Sequence, residues 1–241
     1  MAIDLSAHTK DTIGKFFDHS VLPKNSTEDD IRQGCRIAKQ YDTAAFYASS
    51  GYWLDVMKEE LADSDVLIAT GVDFPWGAQP TTLKAAETEY LVKKGAQALD
   101  ICINVGAARS GHWDVVEQDL RAFKDAAGGA VTKAILEVCF LTDDEITRAA
   151  TLVAEAGLDY VKTSSGQFEG PSMEQFLVMK RAVAGSSTRT KVAGVKFPRP
   201  QNAYAFILAG AELIGTRATP QIVEAFDSLR EIGLIPGGAQ A

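Results

Sequence analysis

The sequence has few of the residues that bind metals or form disulfides. Among its 241 residues are three cysteines and three histidines. Cys35, Cys102 and Cys139 are few and far apart, which favours reduced thiols in the cytoplasm over the disulfide framework of a small secreted protein. The histidines do not form an HxH or HExxH motif, and there is no CxxC pair. We therefore expect no metal site and no cofactor.

Long apolar runs and an excess of positive charge are also missing. No stretch of 18 apolar residues occurs, so no transmembrane helix is expected, and the first ten residues do not resemble a secretory signal. With 24 Lys and Arg against 32 Asp and Glu, the net charge is −8. This acidity argues against nucleic acid as the main partner, because phosphate backbones require clustered cations. We expect a cytoplasmic protein that acts on a small molecule and binds neither nucleic acid nor membrane.

Short β-like runs alternate regularly with longer helical segments. Eight runs are predicted to be strands, at residues 16–18, 43–49, 65–73, 98–104, 131–138, 159–163, 191–197 and 212–216. Strict strand–helix alternation implies a parallel sheet. Eight strands in this length favour a TIM-type (β/α)8 barrel over an open doubly wound sheet, since no glycine-rich turn follows the first strand. The barrel is expected to form one domain over residues 1–241, with a short N-terminal segment and a flexible tail from about residue 233.

Several charged residues lie inside the predicted strands. Strand alternation points Asp100, in the fourth strand, into the barrel. The same alternation points Lys162, in the sixth strand, and Lys196, in the seventh, towards each other near the C-terminal strand ends, where barrel active sites are built. Burying a charge costs several kcal/mol unless it is paired. Lys133 and Glu137, on one face of the fifth strand, are a candidate structural ion pair.

Two neighbouring lysines have a chemical use. Each ammonium disfavours the charge of the other, so one of them can lose its proton near neutral pH. A neutral amine attacks a carbonyl carbon to give an iminium, and a carboxylate such as Asp100 can move protons at the adjacent carbons. The residues alone therefore predict an aldolase, transaldolase, dehydratase or decarboxylase that works through a Schiff base, with a structural ion-pair network as the alternative.

Longer segments of the chain resemble the 2-deoxyribose-5-phosphate aldolase family. They are DHSVL (18–22), GVDFPWG (71–77), KAAETEYLVKKGAQALDICINVG (84–106), ILEVCFLTDDEI (135–146), AGLDYVKTSSG (156–166), GVK (194–196) and AGAELIGT (209–216). The resemblance implies a (β/α)8 barrel and a lyase of carbohydrate catabolism that reversibly cleaves 2-deoxy-D-ribose 5-phosphate into acetaldehyde and glyceraldehyde 3-phosphate. By position, it implies Lys162 as the Schiff-base nucleophile, Lys196 as the second lysine and Asp100 as the acid/base carboxylate. Barrels of this kind often form homodimers, so a homodimer is expected here.

A second set of residues is expected to bind the substrate. It consists of Asp18, Tyr47, Thr163, Gly166, Arg199, Gly215 and Arg217. Asp18 matches the start of the family pattern at the first strand, with a turn cap as its alternative. In the second strand, AAFYASS stands where the family has a cysteine-containing VCV pattern, and Tyr47 is expected to face the barrel interior.

The chain departs from the family pattern where the family binds phosphate. After GVK the family continues with a glycine-rich segment, whereas this chain continues with FPRPQNA, whose prolines lack an N–H group. After the eighth strand, GTRAT replaces a serine-containing segment. Arg199 and Arg217 are therefore candidates for a side-chain clamp on phosphate. The alternatives are an unphosphorylated substrate, a ketone or 2-oxo acid donor, and a sugar-binding barrel without catalysis.

Overall fold

The computed structural model describes residues 3–237 and has the barrel topology that the sequence predicts. Eight parallel strands pair in chain order, and the eighth pairs with the first, so the sheet closes. The strands are β1 (Phe17–Val21), β2 (Ala45–Ala48), β3 (Leu67–Val72), β4 (Ala98–Cys102), β5 (Val131–Ile135), β6 (Tyr160–Lys162), β7 (Arg189–Ala193) and β8 (Leu213–Thr216). The predicted TIM-type (β/α)8 barrel is confirmed.

Helices form a layer around the barrel. They are α1 (Glu28–Gln40), α2 (Leu54–Leu61), α3 (Thr81–Lys93), α4 (Val105–Arg109), α5 (Trp113–Ala127), α6 (Asp143–Glu155), α7 (Met173–Ala182), α8 (Pro200–Leu208), α9 (Thr219–Glu224) and α10 (Phe226–Glu231). Helix α6 begins with a capping box, in which Thr142 and Glu145 each accept a hydrogen bond from the other's backbone N–H. Within residues 3–237, no helix has the length and apolar character needed to cross a bilayer.

The two faces of the strands have different environments. Outward side chains such as Phe46, Val161 and Val192 are fully buried under the helices in one large apolar core. Inward apolar positions on β2, β3 and β4 are mostly small, for example Ala69 and Ala98. Small inward residues leave room inside the barrel for long side chains, and charged ones occupy that space.

Strand β7 differs from the prediction. It begins at Arg189 and ends at Ala193, whereas the prediction ran from 191 to 197. Lys191 faces into the barrel, Val192 packs in the outer core, and Gly194 has a φ of +79°, in the left-handed region that favours glycine. The chain leaves the barrel wall at this turn. The predicted inward and outward faces of the seventh strand were therefore reversed.

The start of the predicted C-terminal tail packs against the protein. Ile235 is fully buried, and the N–H groups of Leu234 and Ile235 both donate to the carbonyl oxygen of Leu229. Residues 233–236 are therefore held in place by contacts, since the Gly233 N–H and the Pro236 carbonyl also bond to Arg230. The rest of the predicted tail, residues 238–241, lies outside the described residues.

Candidate active site

Five charged side chains meet inside the barrel, each from a different strand. Lys162 Nζ lies 2.7 Å from Asp100 Oδ2, and Lys191 Nζ lies 3.0 Å from the same oxygen. Lys191 also contacts Asp18 Oδ2 at 2.6 Å, and Lys133 Nζ lies 3.3 Å from Asp18 and 3.5 Å from Asp100. All five side chains are almost fully buried. Such a cluster requires close charge compensation, since buried charges without partners are costly.

The cluster has three lysines but only two carboxylates, so one lysine can be neutral at no loss of charge balance. Burial lowers the pKa of Lys162 to about 8; the Asp100 carboxylate opposes this shift, and the charge of Lys191 adds to it. Burial also disfavours the charge of Lys191, but Asp100 and Asp18 together raise its pKa above the usual lysine value. Lys162 is therefore the lysine that gives up its proton.

Asp100 lies at the centre of the network. Burial alone would raise its pKa, but the charges of Lys162, Lys191 and Lys133 hold the pKa well below the usual carboxyl range. In the free protein the carboxylate is therefore ionised, and it links the two lysines of β6 and β7 through one oxygen.

The prediction that Lys196 faces into the barrel beside Lys162 is wrong. Lys196 lies after the turn at Gly194, where its ammonium is 2.7 Å from Glu169 Oε2 in an exposed ion pair. Lys191 occupies the interior position instead. The two lysines are five positions apart, so strand alternation allows only one of them to face inwards.

Two further predictions about inward charges also fail. Lys133 pairs with Asp18 and Asp100, not with Glu137. The Glu137 carboxylate instead accepts a hydrogen bond from the Ser165 backbone N–H at 3.1 Å, and burial raises its pKa. The turn-cap alternative for Asp18 is wrong as well, because this residue lies within β1 and faces the lysines.

The larger of two cavities at the C-terminal strand ends lies beside β7, β8 and β1. It has a volume of about 460 Å³, and the predicted substrate-binding residues Gly166, Gly215 and Arg217 line it. Lys196 also lines it, so this residue lies at the rim and not beside Lys162. Because the cations Lys196 and Arg217 both line this cavity, it is suited to bind an anionic group.

Two of the predicted substrate-binding residues lie elsewhere. Arg199 is the residue before the first turn of α8 and is not among those that line the larger cavity. The Thr163 hydroxyl accepts a hydrogen bond from the Ala193 N–H at 3.1 Å and donates to the Ala193 carbonyl at 3.2 Å. Thr163 thus links the end of β6 to the end of β7 through two hydrogen bonds.

A smaller cavity of about 200 Å³ opens above β4 and β5. Apolar side chains line most of it, together with Cys102 and Glu137. Phe168 borders both cavities, and its ring packs edge-on against Trp76 and Phe140 at centroid distances of 5.8 and 5.1 Å. Phe168 is therefore shared by a cavity with two cationic side chains and an apolar one.

Tyr47 faces the barrel interior, as predicted. It is 2% exposed, and its ring centre lies 4.8 Å from Lys162 Nζ and 5.7 Å from Lys191 Nζ. Within residues 3–237, no three His, Cys, Asp or Glu side chains are close enough to hold a metal ion. The absence of a metal or cofactor from the reaction stays a prediction.

Comparison with known proteins identifies the family. The profile of the DeoC/LacD family aldolases matches residues 12–218. The chain is 38% identical over 212 residues to a deoxyribose-phosphate aldolase of Streptococcus sanguinis, an alignment that covers 88% of this chain and 96% of the relative. It is 38% identical over 216 residues to a deoxyribose-phosphate aldolase of Geobacillus sp., with 89% and 96% covered.

Solved structures show the same relationship. A candidate deoxyribose-phosphate aldolase from Coccidioides immitis superimposes with a TM-score of 0.85 at 30% identity, covering 94% of this chain and 88% of that one. The buried lysine cluster, the barrel and the matching sequences agree, and the chain belongs to the DeoC/LacD family of aldolases, as a member related to the deoxyribose-phosphate aldolases.

Proposed function

We propose that this protein is a Schiff-base aldolase that reversibly cleaves 2-deoxy-D-ribose 5-phosphate into acetaldehyde and glyceraldehyde 3-phosphate. The observation that carries the proposal is the Lys162 amine, buried in the barrel, with a pKa lowered to about 8 and a carboxylate 2.7 Å away. The names of the relatives support the choice of substrate.

The reaction begins when neutral Lys162 attacks the aldehyde carbon C1 of the open-chain sugar. The carbonyl oxygen takes up protons and leaves as water, which gives an iminium on Nζ. The C3 hydroxyl then loses its proton and becomes a carbonyl, while the C2–C3 electron pair moves to the iminium and forms an enamine. Glyceraldehyde 3-phosphate departs, C2 takes up a proton, and water releases acetaldehyde and the free lysine.

Asp100 and Lys191 are the groups that hold and move these protons. Asp100 Oδ2 is 2.7 Å from the nucleophile and 3.0 Å from Lys191 Nζ, so one carboxylate oxygen connects the two nitrogens. Asp18, 2.6 Å from Lys191, keeps that lysine charged and in place. In this assignment Asp18 positions a catalytic lysine and does not bind the substrate directly.

The larger cavity supports a phosphorylated substrate. Lys196 and Arg217 line it, and both are cations at the rim where the family's phosphate segment lies.

Trapping of the intermediate tests this function. The protein is incubated with acetaldehyde or with pyruvate, borohydride is added, and the modified peptide is sequenced by mass spectrometry. We expect acetaldehyde to leave an ethyl group on Lys162, no adduct from pyruvate, and cleavage of 2-deoxyribose 5-phosphate in preference to 2-deoxyribose. Lys162→Met is the control and should give no adduct. An adduct confined to another lysine, or one formed only from pyruvate, would overturn the proposal.

We also propose a cytoplasmic location and a homodimer. The free thiols of Cys35, Cys102 and Cys139 support a reducing compartment. Sedimentation of the purified protein at several concentrations tests the dimer, and cell fractionation tests the location.

A further inference from the structure

Tyr47 reaches across the barrel interior from β2. Its register partners are Ser20 on β1 and Ala69 on β3, and the short side chain of Ala69 leaves space for the aromatic ring. The ring also packs edge-on against Phe74, with 5.8 Å between centroids. Tyr47 is thus held rigidly in the space next to the lysines.

The ring of Tyr47 faces Lys162 Nζ, the reacting nitrogen. Lys162 Nζ is 4.8 Å from the ring centre, within the roughly 6 Å range of a cation–π contact. The iminium on Lys162 is also a cation at that nitrogen, so the same ring can stabilise it. The carbon chain that is attached to Nζ must then extend beside this ring.

The hydroxyl of Tyr47 lies above the backbone of β3. A Cβ atom at Gly71 would come within 2.5 Å of the hydroxyl oxygen, so only glycine at this position leaves room for it. Gly71 is the register partner of Asp100 on β4. The hydroxyl is therefore located on the side of the barrel that carries the acid/base carboxylate.

Four buried side-chain oxygen atoms have no hydrogen-bond partner among residues 3–237. They are the Tyr47 hydroxyl oxygen, Asp100 Oδ1, Asp18 Oδ1 and Ser164 Oγ, and Asp100 Oδ1 lies 3.5 Å from the Lys133 ammonium in an ion pair. The Tyr47 hydroxyl and Asp100 Oδ1 belong to the two side chains that lie next to Lys162 Nζ. A buried polar group without a partner is uncommon in folded proteins and requires an explanation. The phenol can donate a hydrogen bond and the carboxylate can only accept one, so the pair matches a hydroxyl group, which both donates and accepts.

We propose that Tyr47 is a further catalytic residue, whose hydroxyl donates a hydrogen bond to the C3 oxygen of the substrate while Asp100 takes up the proton of that oxygen. This inference rests on the proposed function, since it requires an iminium on Lys162. C3 is two bonds from the carbon that Lys162 binds, which keeps its oxygen within reach of groups beside Nζ.

Tyr47 makes and breaks no covalent bond in this step. As the C2–C3 bond breaks, the C3–O–H proton moves to the carboxylate, the oxygen becomes the carbonyl of glyceraldehyde 3-phosphate, and the electron pair moves to the iminium. In the reverse direction, the phenol polarises the aldehyde carbonyl that the enamine attacks. Tyr47 stays protonated throughout, because burial first, and then the Asp100 charge, raise its pKa well above the usual tyrosine value.

Tyr47→Phe is the test, because it keeps the ring and removes only the hydroxyl. We expect kcat for cleavage of 2-deoxyribose 5-phosphate to fall about 10- to 100-fold, with KM unchanged within about twofold, since the hydrogen bond strengthens in the transition state. Borohydride trapping of acetaldehyde on Lys162, and exchange of its methyl protons in D2O, should stay near the wild-type rate. These two reactions need the iminium and the enamine but no C3 oxygen.

Tyr160→Phe is the matched control. Tyr160 lies two residues before Lys162 on the same face of β6, so this variant removes a phenol from the interior at a distance from the C3 oxygen, and its cleavage rate should equal that of the wild type. A Tyr47→Phe protein with wild-type cleavage, or one that loses proton exchange as much as cleavage, would overturn the inference. A wild-type protein that forms no adduct on Lys162 would instead overturn the proposed function, and this inference with it.

Discussion

Lys162 and Lys191 are register partners on β6 and β7, and their ammonium nitrogens lie 2.7 and 3.0 Å from the same oxygen of Asp100. Their surroundings differ in one respect. Lys191 has a second carboxylate, Asp18, at 2.6 Å, whereas within residues 3–237 Lys162 has only Asp100. The lysine with two anions keeps its proton, and the lysine with one becomes the nucleophile.

Replacing Lys191 tests its place in this pair. We expect Lys191→Met to lower kcat at neutral pH by about 10²- to 10⁴-fold, the usual contribution of a positioned proton-transfer group, because the variant loses both the proton relay and the like charge that lowers the pKa of Lys162. Steady-state kinetics with 2-deoxyribose 5-phosphate measure the effect.

Lys196→Met is the matched control for that experiment, since it removes the same side chain from an exposed site at the rim. It should keep kcat within about threefold and raise KM for phosphorylated substrates, as expected for binding that ground and transition states share. If Lys196→Met lost kcat and Lys191→Met kept it, the assignment of the second lysine to β7 would be wrong.

The sequence predicted Lys196 at the interior position that Lys191 occupies, and this error shows where the sequence was ambiguous. Alternation along KVAGVK places Val192 and Gly194 on one face and Ala193 and Val195 on the other. Both sets are small and carry no polar side chain, so the pattern does not decide which lysine faces inwards. The short GVK match favoured Lys196, and the turn after Ala193 depends on contacts with the neighbouring strands that one sequence does not reveal.

The pKa of Lys162 sets the pH dependence of imine formation. The neutral amine is the reactive form, so the rate of trapping by acetaldehyde and cyanoborohydride should rise about tenfold per pH unit below the pKa and level off above it. We expect the midpoint near pH 8, where burial places this lysine. In Lys191→Met the midpoint should move to higher pH, because a like charge is lost and Asp100 can pair more fully with Lys162. A midpoint near 10.5 in the wild type would contradict this account.

The charge balance of the interior cluster leads to a prediction about stability. Asp100→Asn leaves three lysines with one carboxylate, and we expect the free energy of unfolding to fall by about 3–5 kcal/mol, the usual cost of removing one partner of a buried ion pair. Lys162→Met leaves two lysines with two carboxylates. Urea unfolding at pH 7 should show this variant to be at least as stable as the wild type.

The sign of the Lys162 effect follows from its pKa. Since burial lowers that pKa from 10.5 to about 8, the folded protein holds the proton less tightly than the unfolded chain does. The residue therefore opposes folding below pH 8, and the opposition fades as the pH rises towards 10.5. The stability gained in Lys162→Met should shrink over the same interval. Equal losses of stability in both variants would refute the charge-balance argument.

The sequence was more informative where neighbouring residues left only one arrangement. In ALDIC, the apolar residues Leu99 and Ile101 both belong on the outer face, so Asp100 had to point inwards, and it does. Ion pairs between residues of different strands could not be predicted in this way. The prediction paired Lys133 with Glu137, four positions along the chain, but β5 ends at Ile135, and the closed barrel brings Lys133 next to Asp100 on β4 and Asp18 on β1.

Arg217 and Arg199 give a direct test of phosphate recognition at the rim. Arg217 lines the larger cavity, whereas Arg199 precedes α8 and does not line it, so the two alanine variants remove the same charge from different places. We expect Arg217→Ala to raise KM for 2-deoxyribose 5-phosphate about tenfold, the effect of losing one charge-assisted contact, with little change for 2-deoxyribose. Arg199→Ala should leave KM for 2-deoxyribose 5-phosphate and KM for 2-deoxyribose near those of the wild type. Equal losses on the phosphorylated and the unphosphorylated sugar in Arg217→Ala would show that this arginine supports the loop and does not bind phosphate.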